Sequence, residues 1–227
     1  MRLDQLREFE RVVLRLMPFF RLAWKDETWS QKVIGYLTRP FNPSYMTGYV
    51  STFYPIVYFA SKEGYEAKPL SSFISLSHEY VHLEDTRRHP VWFRVSYLFP
   101  QILAVPLFCL GVVLSFFVGW WSVPLFLLAN LSLLPWPAKW RVHWEERGYL
   151  MTLAVLYWMY GSIPASSKVK VKMSFVGWSY YRMSWSEDQV TEWFARSEAR
   201  ILDGSLKSEP IYREVYQFLV SQGLAVV

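Results

Sequence analysis

The stretch His78-Glu79-Tyr80-Val81-His82 holds the residues whose types and spacing could do chemistry. On a helix, residues four apart stand one above the other on one face. Two imidazoles so placed can each give a ring nitrogen to one ion. The carboxylate beside the first can then take a proton from a water held by that ion. Zinc suits this donor set, and Glu79 is the candidate catalytic base.

A catalytic zinc site uses three protein ligands and leaves one position for water. The acids and imidazoles within reach along the chain are Glu84, Asp85, His89, His143, Glu145 and Glu146. Asp85 falls one turn past His82, where a straight helix cannot wrap a third ligand around the same ion. It reads as an outer partner that orients a histidine, or as a surface charge. His89 precedes Pro90, where the helix should already have ended. Glu145, with Glu146 as the alternative, opens a helical run that reaches about residue 160. Gly148, three residues on, lets another helix approach closely.

Together His78, Glu79, His82 and Glu145 resemble the gluzincin class of zinc metallopeptidases, which pair an H-E-x-x-H helix with a downstream Glu on a second helix. In that resemblance Tyr149 stands where many members carry Asp, and the similarity covers roughly residues 48–160. Sixty-two residues separate His82 from Glu145. The layout is similar to that of membrane-embedded metallopeptidases of the prenyl-protein-protease type, which carry membrane helices between the motif and the third ligand. The resemblance implies zinc, a polypeptide substrate, and hydrolysis by a zinc-activated water. A donor for the developing oxyanion is also needed, and His143, Tyr149, Tyr180 and Tyr181 are candidates.

The elements that must position these groups are legible in part. Leu70 to Thr86 contains no Gly and no internal Pro, and Pro69 precedes it where a first helical turn tolerates Pro. Phe73, Leu76, Tyr80 and Leu83 form an apolar stripe, while Ser71, Ser75, His78, His82 and Asp85 fall on a polar one. Between Arg94 and Lys139 there is no charged residue at all. That interval is long enough for two helical membrane crossings, about residues 97–117 and 120–136, with Gly119 as the turn. Trp120, Trp121, Trp136 and Trp140 read as interfacial anchors. Two crossings return the chain to the side it left, so the histidines and Glu145 can meet. Arg87, Arg88 and Arg94 before the hairpin, and Lys139, Arg141 and Arg147 after it, place both termini and the metal site on the cytoplasmic side.

The expected fold is mainly α with a small β-hairpin or sheet, a zincin-like helix pair, and an apolar helical hairpin interrupting that pair. Four segments follow: an N-terminal amphipathic helical region (1–40), a β-hairpin with the H-E-x-x-H helix (41–94), the apolar hairpin (95–138), and the third-ligand helix with a C-terminal helical region (139–227). Residues 3–22 read as an amphipathic helix, either on a membrane surface or in the core. Residues 31–38 read as a short helix, 45–60 as the β-hairpin, 169–176 as a loop or short strand, and 185–202 and 209–222 as helices. The first twenty residues contain three acids and no continuous apolar core, unlike a secretory signal.

Composition sets limits. Of 227 residues, 52% are hydrophobic and 19% aromatic, enough for a core plus a membrane hairpin. A single Cys109 excludes an intrachain disulfide. The net charge of +5 suits an anionic lipid surface. The basic residues are scattered and no nucleic-acid motif is present, so no specific nucleic-acid partner is expected. The competing reading is a non-catalytic metal-site protein, a structural or anchoring part of a viral particle or membrane complex with protein assembly partners. Glu79 argues against it, because a structural zinc site has no use for an unligated carboxylate beside its first histidine.

Overall fold

The computed structural model describes residues 1–39, 42–134, 136, 138–177, 183–184 and 186–227. In chain order the elements are α1 (Leu3–Leu16), β1 (Arg21–Trp24), α2 (Trp29–Thr38), α3 (Tyr45–Gly48), β2 (Ser51–Phe53), β3 (Ile56–Phe59), α4 (Lys62–Ala67), α5 (Pro69–Arg88), α6 (Pro90–Leu98), α7 (Ala104–Val118), α8 (Val123–Ser132), α9 (Lys139–Tyr160), α10 (Ala165–Val176), α11 (Glu187–Leu202) and α12 (Pro210–Ser221). The fold is mainly helical with one small sheet, as the sequence pattern predicts.

Helix α5 is the axis. Pro69 sits at its first turn and the backbone N–H of His89 closes its last turn on the Asp85 carbonyl. Phe73, Leu76, Tyr80 and Leu83, the expected apolar stripe, are all buried. Each such side chain contributes about 1.5–3 kcal/mol when fully removed from water. Phe73 meets Phe9 of α1 at 4.7 Å and Phe218 of α12 at 5.6 Å between ring centroids. Helix α1 buries Leu6, Phe9 and Val13 in that core. It is therefore a core-packing helix, which settles the choice its amphipathic pattern left open. Helices α6, α9 and α12 also pack on α5, and β2 runs against it.

The sheet has the order β1-β3-β2. β2 and β3 form the expected antiparallel hairpin, with Thr52 opposite Val57. β1 lies parallel to β3, with Leu22 opposite Val57. The helix expected over 3–22 thus stops at Leu16, because residues 21–24 gain ladder hydrogen bonds from β3 that a helix could not make. The loop or strand expected over 169–176 is instead part of α10: Val171 and Phe175, four apart, are buried, which fits a helical face and not alternation.

The helical run Gln101–Ser132 is long and apolar enough to cross a membrane by length and composition. It is folded in half. Gly119 takes φ +57° at the bend, a conformation open to glycine at little cost. Phe126 of α8 then lies against Phe108 at 5.3 Å and against the open face of Gly111 on α7. At the root, the Gln101 amide donates to the Leu134 carbonyl at 3.0 Å. The apolar hairpin is present as expected, but its arms are shorter than the expected crossings. Tyr97 and Leu98 belong to α6, the chain turns at Phe99–Pro100, and α8 ends at Ser132.

Candidate metal centre

Helices α5 and α9 pack against each other along the stretch that carries the candidate ligands. Gly148 makes this contact possible. A Cβ built there would lie 2.7 Å from Cε1 and Nε2 of His78. With hydrogen in that place, the imidazole rests directly on the α9 backbone.

His78, His82 and Glu145 converge, all three buried, with one ligand atom from each within 4.8 Å of the others. The two Nε2 atoms are 3.1 Å apart. Glu145 places Oε2 3.4 Å from His78 Nε2 and Oε1 3.7 Å from His82 Nε2. A tetrahedral zinc with ligands near 2.0–2.1 Å has ligand–ligand separations of about 3.3 Å; the separations here, the last two to different oxygens of Glu145, lie near that value. The expected third ligand, 63 positions past His82, is thus brought to the pair.

The carboxylate is held as a donor set requires. The Tyr97 hydroxyl donates to Glu145 Oε1. Oε2 is buried, 3.4 Å from His78 Nε2, with no hydrogen-bond partner among the described residues. An orphaned carboxylate oxygen is costly in a low-dielectric interior unless a cation faces it. Burial opposes charge on Glu145, yet the neighbouring imidazoles hold it well below the usual carboxylate range. Burial likewise opposes charge on His82, and the Glu145 carboxylate outweighs it, lifting His82 to about 9. The interior field at this point favours positive charge. His78 Nδ1 faces the Thr152 hydroxyl at 3.3 Å, which leaves Nε2 as the free donor. His82 Nδ1 has no hydrogen-bond partner among the described residues.

Glu79 is no part of the donor triad. Its Oε2 accepts a hydrogen bond of 2.6 Å from the Thr52 hydroxyl on β2. Glu79, His78, His82 and Glu145 all line one cavity of about 480 Å³, whose other walls are mostly apolar side chains from residues 34–54 and from α6.

The other expected site residues lie as follows. Asp85 is buried and pairs with Arg147 of α9 at 2.9 Å. It ties the two ligand helices together and neither orients a histidine by hydrogen bond nor sits at the surface. Glu146 is outside the triad, half-buried, with burial raising its pKa against the pull of Arg196. His143 is exposed, rests on Trp144 and does not line the cavity. Tyr149 lays its ring edge-on to His78 at 4.7 Å, outside the cavity wall. Tyr180 and Tyr181 lie outside the described residues. Glu84 is bound to Arg87 and Arg88.

Four contributors carried no sequence signal: Tyr97, Thr52, Thr152 and Lys25. Lys25 is fully buried, donates to the Tyr45 carbonyl at 2.8 Å and sits over that tyrosine's ring. Burial pulls its pKa down to about 8, against the opposite pull of Glu79. Arg141 links the hairpin root to α9 by donating to the Tyr97 carbonyl and to Gln101 Oε1. The same Tyr97 therefore touches both the root and the ligand Glu145.

Comparison of the chain with protein-family models, with curated proteins and with solved structures finds no match. What the site does is therefore argued from its geometry.

The tight fit at Gly148 makes a direct prediction. Gly148→Ala favours the α9 helix by propensity, about 1 kcal/mol, but drives a methyl into the His78 ring. The expected outcome is unchanged helicity by circular dichroism, with metal affinity lowered at least about tenfold in competition with a chromophoric chelator.

Proposed function

We propose that this chain is a membrane-associated zinc metallopeptidase. The observation that carries the reading is the buried His78–His82–Glu145 triad, with one donor atom from each within 4.8 Å of the others, and Glu79 unligated in the same cavity. Zinc held there supplies Lewis acidity, which makes a water nucleophilic near neutral pH and polarises a carbonyl oxygen. The chain's own groups do the rest. Glu79, oriented by Thr52, takes the proton of the attacking water and returns it to the leaving amine. Tyr97 and Thr152 keep Glu145 and His78 turned toward the ion. The apolar cavity walls receive apolar side chains of the polypeptide substrate.

The apolar hairpin seats the enzyme in a bilayer. The basic residues flanking it support a cytoplasmic location for the site and both termini. A non-catalytic, assembly-bound metal site is the second reading. It leaves the buried Glu79 and the cavity before it without a purpose.

The test is metal content by mass spectrometry of the purified protein. The expected result is one zinc per chain, lost in Glu145→Ala and kept in Glu146→Ala. Zinc retained with unchanged affinity in Glu145→Ala removes the proposed third ligand, and with it this function.

A further inference from the structure

We infer that the α7–α8 hairpin enters one leaflet of a lipid bilayer and turns back without crossing it, which makes the protein one-sided, with its cavity at headgroup level. The inference rests on the membrane reading above and is independent of the metal.

Arm length is the first argument. Between root and bend, α7 has 15 residues and follows the three-residue turn Gln101–Leu103, while α8 has 10 and follows the four-residue turn Gly119–Ser122, or about 28 and at most about 23 Å. The hydrocarbon core is about 30 Å thick, so one leaflet offers about 15 Å, and a crossing helix needs about 20 residues. The arms are antiparallel neighbours, joined at the root by Gln101 and Leu134 and in the middle by Phe108 and Phe126. The shorter arm sets the depth, which stops short of the far boundary of the hydrocarbon core.

The second argument is the surface. At the bend Phe116, Phe117, Trp120 and Trp121 are 82, 80, 72 and 69% exposed. Water-facing rings at this density, on an excursion with no charged residue, mark a surface that belongs in another medium. At the root the picture changes. Trp92 of α6 and Trp140 of α9 face each other at 5.0 Å and stay half-exposed. Exposed Arg94 and Lys139 flank them and carry no ion pair among the described residues. Indoles beside free cations are the composition of a headgroup boundary. Indoles meet cations at the root alone: the bend carries exposed Trp120 and Trp121 but no charged residue, so only the root has the charge of a headgroup boundary.

The third argument concerns hydrogen bonds. In hydrocarbon every polar group must be satisfied within the protein. Ser115, Ser122, Asn130 and Ser132 each donate to a carbonyl three or four residues back. The Trp136 indole N–H donates to the Leu131 carbonyl. Ser115 and Asn130 are exposed while Ser122 and Ser132 are buried, and these bonds leave all four polar groups satisfied in a medium without water.

The experiment uses the full chain carrying Cys109→Ser and Trp120→Cys, mixed with vesicles of phosphatidylcholine and phosphatidylglycerol. The protein should float with the vesicles and remain bound in about 1 M salt, where charge interactions are screened within about 3 Å. The thiol at position 120, kept protonated in hydrocarbon, should react with a maleimide only after detergent dissolves the vesicles. It should resist an impermeant one, whether added outside or sealed in the lumen. A thiol at Val91→Cys, exposed at the root, should react from outside. Labelling of position 120 from the lumen would show a crossing and overturn the inference while leaving the membrane reading intact. Labelling from outside, or no flotation, would put the tip in water or against a protein partner and overturn both. In a second variant, Phe116, Phe117, Trp120 and Trp121 all become Ser. It should keep its circular dichroism and zinc content and lose vesicle partitioning by about a hundredfold or more. Unchanged flotation of that variant overturns the inference too. Zinc content, read on the same samples, reports separately on the metal reading.

Discussion

Glu79→Gln is expected to leave one zinc per chain in place and to lower peptide hydrolysis by a factor of about 10²–10⁴, the contribution of a positioned general base. The separation of the two readouts follows from the geometry. Glu79 contributes no atom to the triad, whose three donors are His78, His82 and Glu145. Its carboxylate instead accepts from Thr52 in the shared cavity. Glutamine keeps the size and the acceptor oxygen, so the hydrogen bond from Thr52 and the packing survive. It cannot take a proton from water. The measurement is a fluorogenic peptide assay run beside metal analysis on the same preparation. Equal turnover by wild type and Glu79→Gln, with zinc present in both, would falsify the catalytic assignment and leave a structural metal site.

The second large effect concerns the ion itself. The double variant His78→Ala, His82→Ala removes two of the three donors and is expected to bind no zinc. A ligand that binds only the folded state stabilises it by about 4 kcal/mol at a thousandfold excess over its dissociation constant. Chelation should therefore lower the melting temperature of the wild type by several degrees and leave that of the double variant unmoved. Differential scanning fluorimetry with and without chelator checks this. Equal shifts in both would mean that the chelator strips a cation from somewhere else.

Much of this arrangement was legible in the chain, for reasons that differ by element. α5 was readable because Pro69 and Pro90 bracket it and its apolar stripe keeps helical spacing. Glu145 was readable because Gly148 marks a close approach one turn on. The hairpin was readable because an uncharged interval of that length has few homes. What escaped was set by contacts distant in sequence. β1 exists because β3 offers it a ladder, and nothing within Arg21–Trp24 says so. In α10 the alternation of Lys and Val over Lys168–Lys172 imitates a strand. The helix wins because Lys168 and Lys172 reach Glu198 and Glu187 of α11 while Val171 and Phe175 pack inward. Tyr97, Thr52 and Thr152 belong to no motif. Each matters only because folding sets it beside an acid or an imidazole. The place of Asp85 is set in the same way, since its partner Arg147 lies 62 positions away.

The neck drawn by Arg141, Gln101 and Leu134 has a temporal meaning. Two imidazoles leave the ribosome together, but the carboxylate follows only after the whole greasy detour. A chain still being made, or one whose detour has not found its resting place, holds two donors and no third. In the proposed function the cation is a late clasp. It would tie positions 82 and 145 across a long loop, the kind of closure that restrains an unfolded chain most. Hydrolysis, on that proposal, becomes possible last, once the molecule has settled where it is to work.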